Sequence, residues 1–229
     1  MSRFAYLVHL YTATGAVWSF LAILAILEGN YRNALLWLVV ATFVDATDGW
    51  FARRVRVDLN APMINGARLD DLVDYLNYVL VPAFLLLHAG LLPGDWRGIL
   101  VAAAMLISSA MGFSRQDAKT VDYYFTGFPS YWNIVAVYML VAQWSQTINA
   151  IVLLALAVLV FVPIRYVYPS RTPTLQKLTI AFSAVWSLQV VLLILWLDAV
   201  PTWLFWSSLA FPAYYTLLSF WLSAQRIHA

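Results

Sequence analysis

Apolar residues run along this chain in long blocks separated by short polar breaks. The blocks lie at roughly 8–27, 33–54, 69–89, 97–113, 131–145, 149–166, 176–197 and 203–224. Most of them reach the length, about 17 residues or more, that carries a helix across a bilayer. The breaks read EGNYRN, GLLPGDWRG, SQTIN, YPSRTPTLQK and DAVPTW, rich in the residues that end helices. The pattern predicts an all-α integral membrane protein with about eight transmembrane helices, forming a single domain over residues 1–229. No polar stretch exceeds roughly twenty residues, so a sizeable soluble domain is excluded. No internal repeat or low-complexity segment interrupts the series.

Composition strengthens this picture. Hydrophobic residues make up 63% of the chain and charged residues only 10%, against about 25% charge in soluble domains. Cysteine is absent, which excludes disulfides and thiol chemistry. The N-terminus lacks a short apolar core followed by a small-residue cleavage site, so no removable signal peptide is expected.

Charge then orients the helices. With eight spans, one side receives Arg3, Arg53, Arg54, Arg56, Arg68, Arg115, Lys119, Arg165, Arg171, Lys177 and Arg226, and the other only Arg32 and Arg97. Basic residues mark the cytoplasmic side, so both termini are expected there. Arg165, Arg171 and Lys177 suit a position among anionic headgroups. His9, His88 and His228 stand alone, without ligand-like partners, and read as core or interfacial residues.

Against this background residues 45–74 stand out. They read DATDGWFARRVRVDLNAPMINGARLDDLVD and hold Asp45, Asp48, Asp58, Asp70, Asp71 and Asp74, six of the eleven acidic residues in the chain. Topology brings Asp45 and Asp48, near the cytoplasmic end of span 2, to the depth of Asp70 and Asp74, at the start of span 3. Asp45, Asp48 and Gly49 share one helical stripe, with Ala52 and Arg53 a turn later, while Gly66, Asp70 and Asp74 step by four along the next helix. A carboxylate at a helix centre costs roughly 2.5–3.5 kcal/mol on insertion scales, and converging carboxylates repel unless a cation sits among them. Two facing stripes make an oxygen cage of the kind that Mg²⁺ or Mn²⁺ selects. The glycines let a bulky substrate approach the backbone, and Arg53 offers a planar fork for phosphate oxygens. Asp58 and Asp71 read as interfacial.

The series Asp45, Asp48, Gly49, Ala52, Arg53, Gly66, Asp70, Asp74 resembles the signature of the CDP-alcohol phosphotransferases, integral membrane enzymes of phospholipid synthesis. Twelve residues separate Arg53 from Gly66, a longer gap than most members have, which with about eight spans is most similar to the bacterial phosphatidylcholine synthases. A second segment, YFTGFPS at 124–130, is similar to one in bacterial phosphatidylserine synthases. The resemblance implies that Asp45, Asp48 and Asp70 ligate a pair of divalent ions, Mg²⁺ or Mn²⁺. Asp74 would contribute to that site and act as the base. Gly49, Ala52, Arg53 and Gly66 would line the pocket for the cytidine diphosphate of CDP-diacylglycerol, with Arg115 and Lys119 as further candidates on the same side.

The reaction implied is phosphatidyl transfer from CDP-diacylglycerol to choline with release of CMP, at the cytoplasmic face of a bacterial inner membrane. A homodimer is implied as well, and no nucleic-acid partner is expected. Choline is a quaternary ammonium that aromatic faces hold, and Tyr75, Tyr78, Tyr124 and Trp132 lie on the right side to do so. Serine, inositol or glycerol phosphate are alternative acceptors. DDLVD at 70–74 also reads as a prenyl-diphosphate motif, but no second such cluster exists. A carboxylate-coupled transporter would place its acids near mid-membrane and commonly repeat its halves.

Overall fold

A computed structural model describes residues 3–118, 120 and 122–227. The chain is largely helical. Two long helices, α1 (Arg3–Leu27) and α2 (Tyr31–Val55), form an antiparallel hairpin, followed by a single turn, α3 (Val57–Asn60). Next comes a continuous rod made of α4 (Gly66–Asp74), a π-helical turn (Tyr75–Leu80) and α5 (Val81–His88). Then follow α6 (Trp96–Phe113), α7 (Trp132–Ala142), α8 (Gln146–Leu159), α9 (Gln176–Leu195), α10 (Thr202–Ser208) and α11 (Ala210–Ile227). Among the described residues, five helices are long and apolar enough to cross a membrane: Phe4–Leu27, Tyr31–Val55, Gly66–His88, Trp96–Phe113 and Gln176–Leu195. The other expected spans are shorter or broken. Helices α7 and α8 are apolar but short, and the last span divides at Leu209 into α10 and α11.

The expectation of helix alone misses one element. Strands β1 (Tyr124–Thr126) and β2 (Arg165–Val167) pair antiparallel, Phe125 opposite Tyr166. Span 149–166 therefore ends early, at Leu159. Pro163 cannot continue a helix, and the aromatic and β-branched residues after it favour extended backbone. Gly127, at φ +80°, closes the ribbon: a Cβ there would stand 2.1 Å from the Val160 carbonyl oxygen. Its amide donates to the Ile164 carbonyl at 2.8 Å, and the Phe128 amide to that of Leu159 at 2.9 Å. The YFTGFPS segment is thus a strand and its turn.

Close approach of α1 to the α4 rod depends on Gly15, where a Cβ would meet Val73 Cγ1 at 2.3 Å and Asn77 Nδ2 at 3.1 Å. Ser19 donates to Asn77 Oδ1 one turn further on. At the opposite end of the bundle, Arg32 at the start of α2 pairs with Asp198. The core between these layers is apolar, centred on Leu35, Leu85, Leu86, Met105, Trp132 and Leu153, all at most 1% exposed.

Candidate active site

Helices α2 and α4 bring Asp45, Asp70 and Asp74 together, with one oxygen from each within 4.8 Å of the others, all half-buried. The stripe logic explains the convergence. Gly66, Asp70, Asp74 and Tyr78 step by four, and each step in an α-helix overshoots one turn by about 40°. The π-helical turn at Tyr75–Leu80, wound with more residues per turn, takes back part of that drift. Tyr78 stays aligned with the acids, and its hydroxyl donates to Asp45 Oδ2 at 2.6 Å.

Asp48 is placed differently. It lies one turn from Asp45 on α2 but is 7% exposed, and its Oδ2 accepts from the Thr12 hydroxyl of α1 at 2.7 Å. It is not among the three residues whose oxygens converge. Alongside, Tyr11 and Thr47 share a hydrogen bond of 2.7 Å. Helix α1 therefore braces the α2 acids from behind, a role that sequence spacing gave no means to read because the partners lie 36 residues apart.

The small residues of the signature have visible neighbours. A Cβ on Gly49 would stand 3.2 Å from Arg53 Nη1, so the exposed Arg53 side chain folds back along α2. Ala52 is half-buried beside it. A Cβ on Gly66 would meet His9 Cε1 at 3.1 Å. His9 is buried, and its Nε2 has no hydrogen-bond partner among the described residues. The twelve-residue gap between Arg53 and Gly66 holds the left-handed Arg56 (φ 49°), the turn α3 and the cap of α4, where Asn65 accepts from the Arg68 amide.

The remaining candidates disperse. Arg115 is engaged by Asp117, through Nε and Nη2 at 2.8 Å each, and that guanidinium holds the Asp117 carboxyl below its usual range. Lys119 lies outside the described residues. Of the four aromatics expected to meet the acceptor, Tyr78 touches one of the converging acids through its hydrogen bond to Asp45. Tyr75 donates to the Leu106 carbonyl at 3.0 Å. Trp132 is 0% exposed, its indole N–H donating to Ser109 at 2.8 Å. Tyr124 sits in the ribbon under the Arg165 guanidinium, 5.9 Å from the ring centre. No ring contact joins any two of the four among the described residues.

Three carboxylate oxygens on adjoining rigid helices form a hard, anionic donor set that fits a divalent cation such as Mg²⁺ or Mn²⁺. Carboxylates so placed within an apolar bundle make a candidate divalent-metal site. No family model matches the chain. Among characterised proteins, it is 43% identical over 174 residues to a phosphatidylcholine synthase of Legionella pneumophila, a match covering 76% of this chain and 68% of that protein. The phosphatidylcholine synthase of Legionella bozemanae is 45% identical over 157 residues, 68% of this chain and 72% of its own. That of Pseudomonas aeruginosa is 35% identical over 219 residues, 96% and 92% of the two chains. The chain belongs to the bacterial phosphatidylcholine synthase family of CDP-alcohol phosphotransferases.

Proposed function

We propose that this protein makes phosphatidylcholine by moving a phosphatidyl group from CDP-diacylglycerol to choline with release of CMP. Phosphatidyl transfer from CDP-diacylglycerol is the chemistry of the family to which the chain belongs. The observation that carries the reading for this chain is the convergence of Asp45, Asp70 and Asp74 within 4.8 Å on helices α2 and α4. Those residues, with Asp48 one turn away, would hold two Mg²⁺ or Mn²⁺ ions. When bound, such ions neutralise the charge that builds on a departing phosphate.

The chain's own groups do the rest. Gly49, Ala52 and Gly66 leave room for the diphosphate, and Arg53 supplies its fork of donors. The choline hydroxyl attacks the phosphorus that bears the diacylglycerol. A new P–O bond forms, the P–O bond to CMP breaks, and the hydroxyl proton passes to the Asp74 carboxylate. Support for a membrane-borne donor comes from a half-open apolar cavity of about 120 Å³ between α2, α7 and α9. Leu38, Val39, Val137 and Ile194 line it, together with Thr42, one turn before Asp45. Its lining suits an acyl chain arriving from the side. Eight crossings, with both termini and the site at the cytoplasmic face of an inner membrane, are supported by the sorting of eleven of thirteen basic residues to one side.

The test is CMP release by purified protein given CDP-diacylglycerol, Mg²⁺ or Mn²⁺, and a panel of alcohols. Release is expected with choline. Release with serine or inositol but not choline would overturn the acceptor, and a requirement for a prenyl diphosphate would overturn the reaction.

A further inference from the structure

Beside the acids, but outside the signature, tyrosines from distant parts of the chain come together. Tyr131 caps α7 and meets the Tyr78 ring edge-on, with centroids 6.2 Å apart. Tyr78 in turn donates to Asp45 Oδ2, which ties Tyr131 to the edge of the acid cluster. Tyr215 of α11 stacks on Tyr166 of β2 at 6.0 Å, and the Tyr166 ring meets Phe128, which packs on Trp132 next to Tyr131 in the chain. The Tyr215 hydroxyl is buried and has no hydrogen-bond partner among the described residues. A buried phenol without a partner marks a place where a polar ligand or water belongs.

Charge separates these rings from the other aromatics on this side. Arg165 lies over Tyr124, and Arg171 lies 5.6 Å from the ring centre of Tyr123 and 5.8 Å from that of Tyr168. Those faces already carry a cation. Among the described residues, no guanidinium lies over Tyr131, Tyr166 or Tyr215. We infer that Tyr131, Tyr166 and Tyr215 form the acceptor's subsite, holding its quaternary ammonium on their ring faces. Ring faces attract such cations through their quadrupole, most strongly where water is excluded. This assignment rests on choline as acceptor. It moves the subsite from Tyr75, Tyr78, Tyr124 and Trp132, expected from sequence, to residues of the C-terminal half, one of which meets Tyr78.

Steady-state kinetics with choline and CDP-diacylglycerol, together with Mn²⁺ binding followed by electron spin resonance, test it. Tyr166→Leu and Tyr215→Leu are each expected to raise the KM for choline by about tenfold or more. The KM for donor and the Mn²⁺ affinity should stay within about twofold. Tyr215→Phe keeps the ring face and should restore most of the choline KM. An unchanged choline KM in both leucine variants overturns the subsite. So does a joint loss of choline, donor and Mn²⁺ binding, which would make the cluster structural, and so does a Phe variant as impaired as Leu. A test on the unaltered protein stands apart from folding: 3,3-dimethylbutan-1-ol, the neutral isostere of choline, should be at least about tenfold poorer as acceptor. Equal use of the two alcohols contradicts the subsite. If the unaltered protein ignores choline but uses another alcohol, the acceptor reading itself has failed, which is a separate result.

Discussion

The half of the molecule from α1 to α5 is built of continuous helices whose polar contacts recur at fixed steps. The half after α6 mixes short helices, a two-stranded ribbon and left-handed residues at Tyr123, Gly127, Ser130, Gln143 and Leu175. The first half holds the converging carboxylates, and Tyr131 of the second meets the Tyr78 ring beside them. The first places acids by helical periodicity, which fixes relative positions tightly and suits a metal site. The second places tyrosines through turns, which suits a surface that must match a particular acceptor. On the proposed function, the common chemistry and the choice of alcohol reside in separable parts of the fold.

The strongest way to break this division is to remove an acid. Asp70→Asn should lower CMP release by roughly a thousandfold, the scale of losing a preorganised group at the reacting centre, and should weaken Mn²⁺ binding as well. Activity near that of the unaltered protein would detach the cluster from the chemistry. Tyr78→Phe removes only the hydroxyl that fixes Asp45, and about a tenfold loss of Mn²⁺ affinity is expected. Titration of Mn²⁺ into the variant checks this, and an unchanged midpoint would reduce Tyr78 to a packing residue.

Smaller effects sharpen the boundary between the halves. Thr12→Val keeps shape but removes the hydroxyl that donates to Asp48 Oδ2. A loss of about 1.5–3 kcal/mol in unfolding free energy is expected, as for other hydrogen bonds to charged groups, with Thr12→Ser restoring it. Gly127→Ala forces a Cβ toward the Val160 carbonyl at a left-handed position, at about 1–3 kcal/mol of strain. It should raise the choline KM several-fold while sparing Mn²⁺ binding. A drop in Mn²⁺ affinity would show that the ribbon supports the metal site too.

How far sequence reached follows the same line. Asp45, Asp70 and Asp74 were legible because buried charge in an apolar chain is costly and steps of three or four define a face. Asp48 was legible as part of the stripe, but its tie to Thr12 was not, since local spacing carries nothing about a partner on another helix. The ribbon was missed because strands of three residues show no period, and VPIRYV reads as apolar span. Trp132, expected among the acceptor's rings, lies in the core with its indole N–H on Ser109. Tyr166 and Tyr215 carried no mark that set them apart from the other eleven tyrosines. Their meaning comes only from packing.

On the proposed function, Asp45, Asp70 and Asp74 support transfer of a phosphatidyl group to choline. Its most direct test is stoichiometry: labelled choline entering lipid measured beside CMP release, with purified protein, CDP-diacylglycerol and Mn²⁺. Equal amounts of the two products are predicted, both abolished by a chelator, restored by Mn²⁺ and absent in Asp74→Asn. CMP release without incorporation of choline, or incorporation that survives Asp74→Asn, would contradict it.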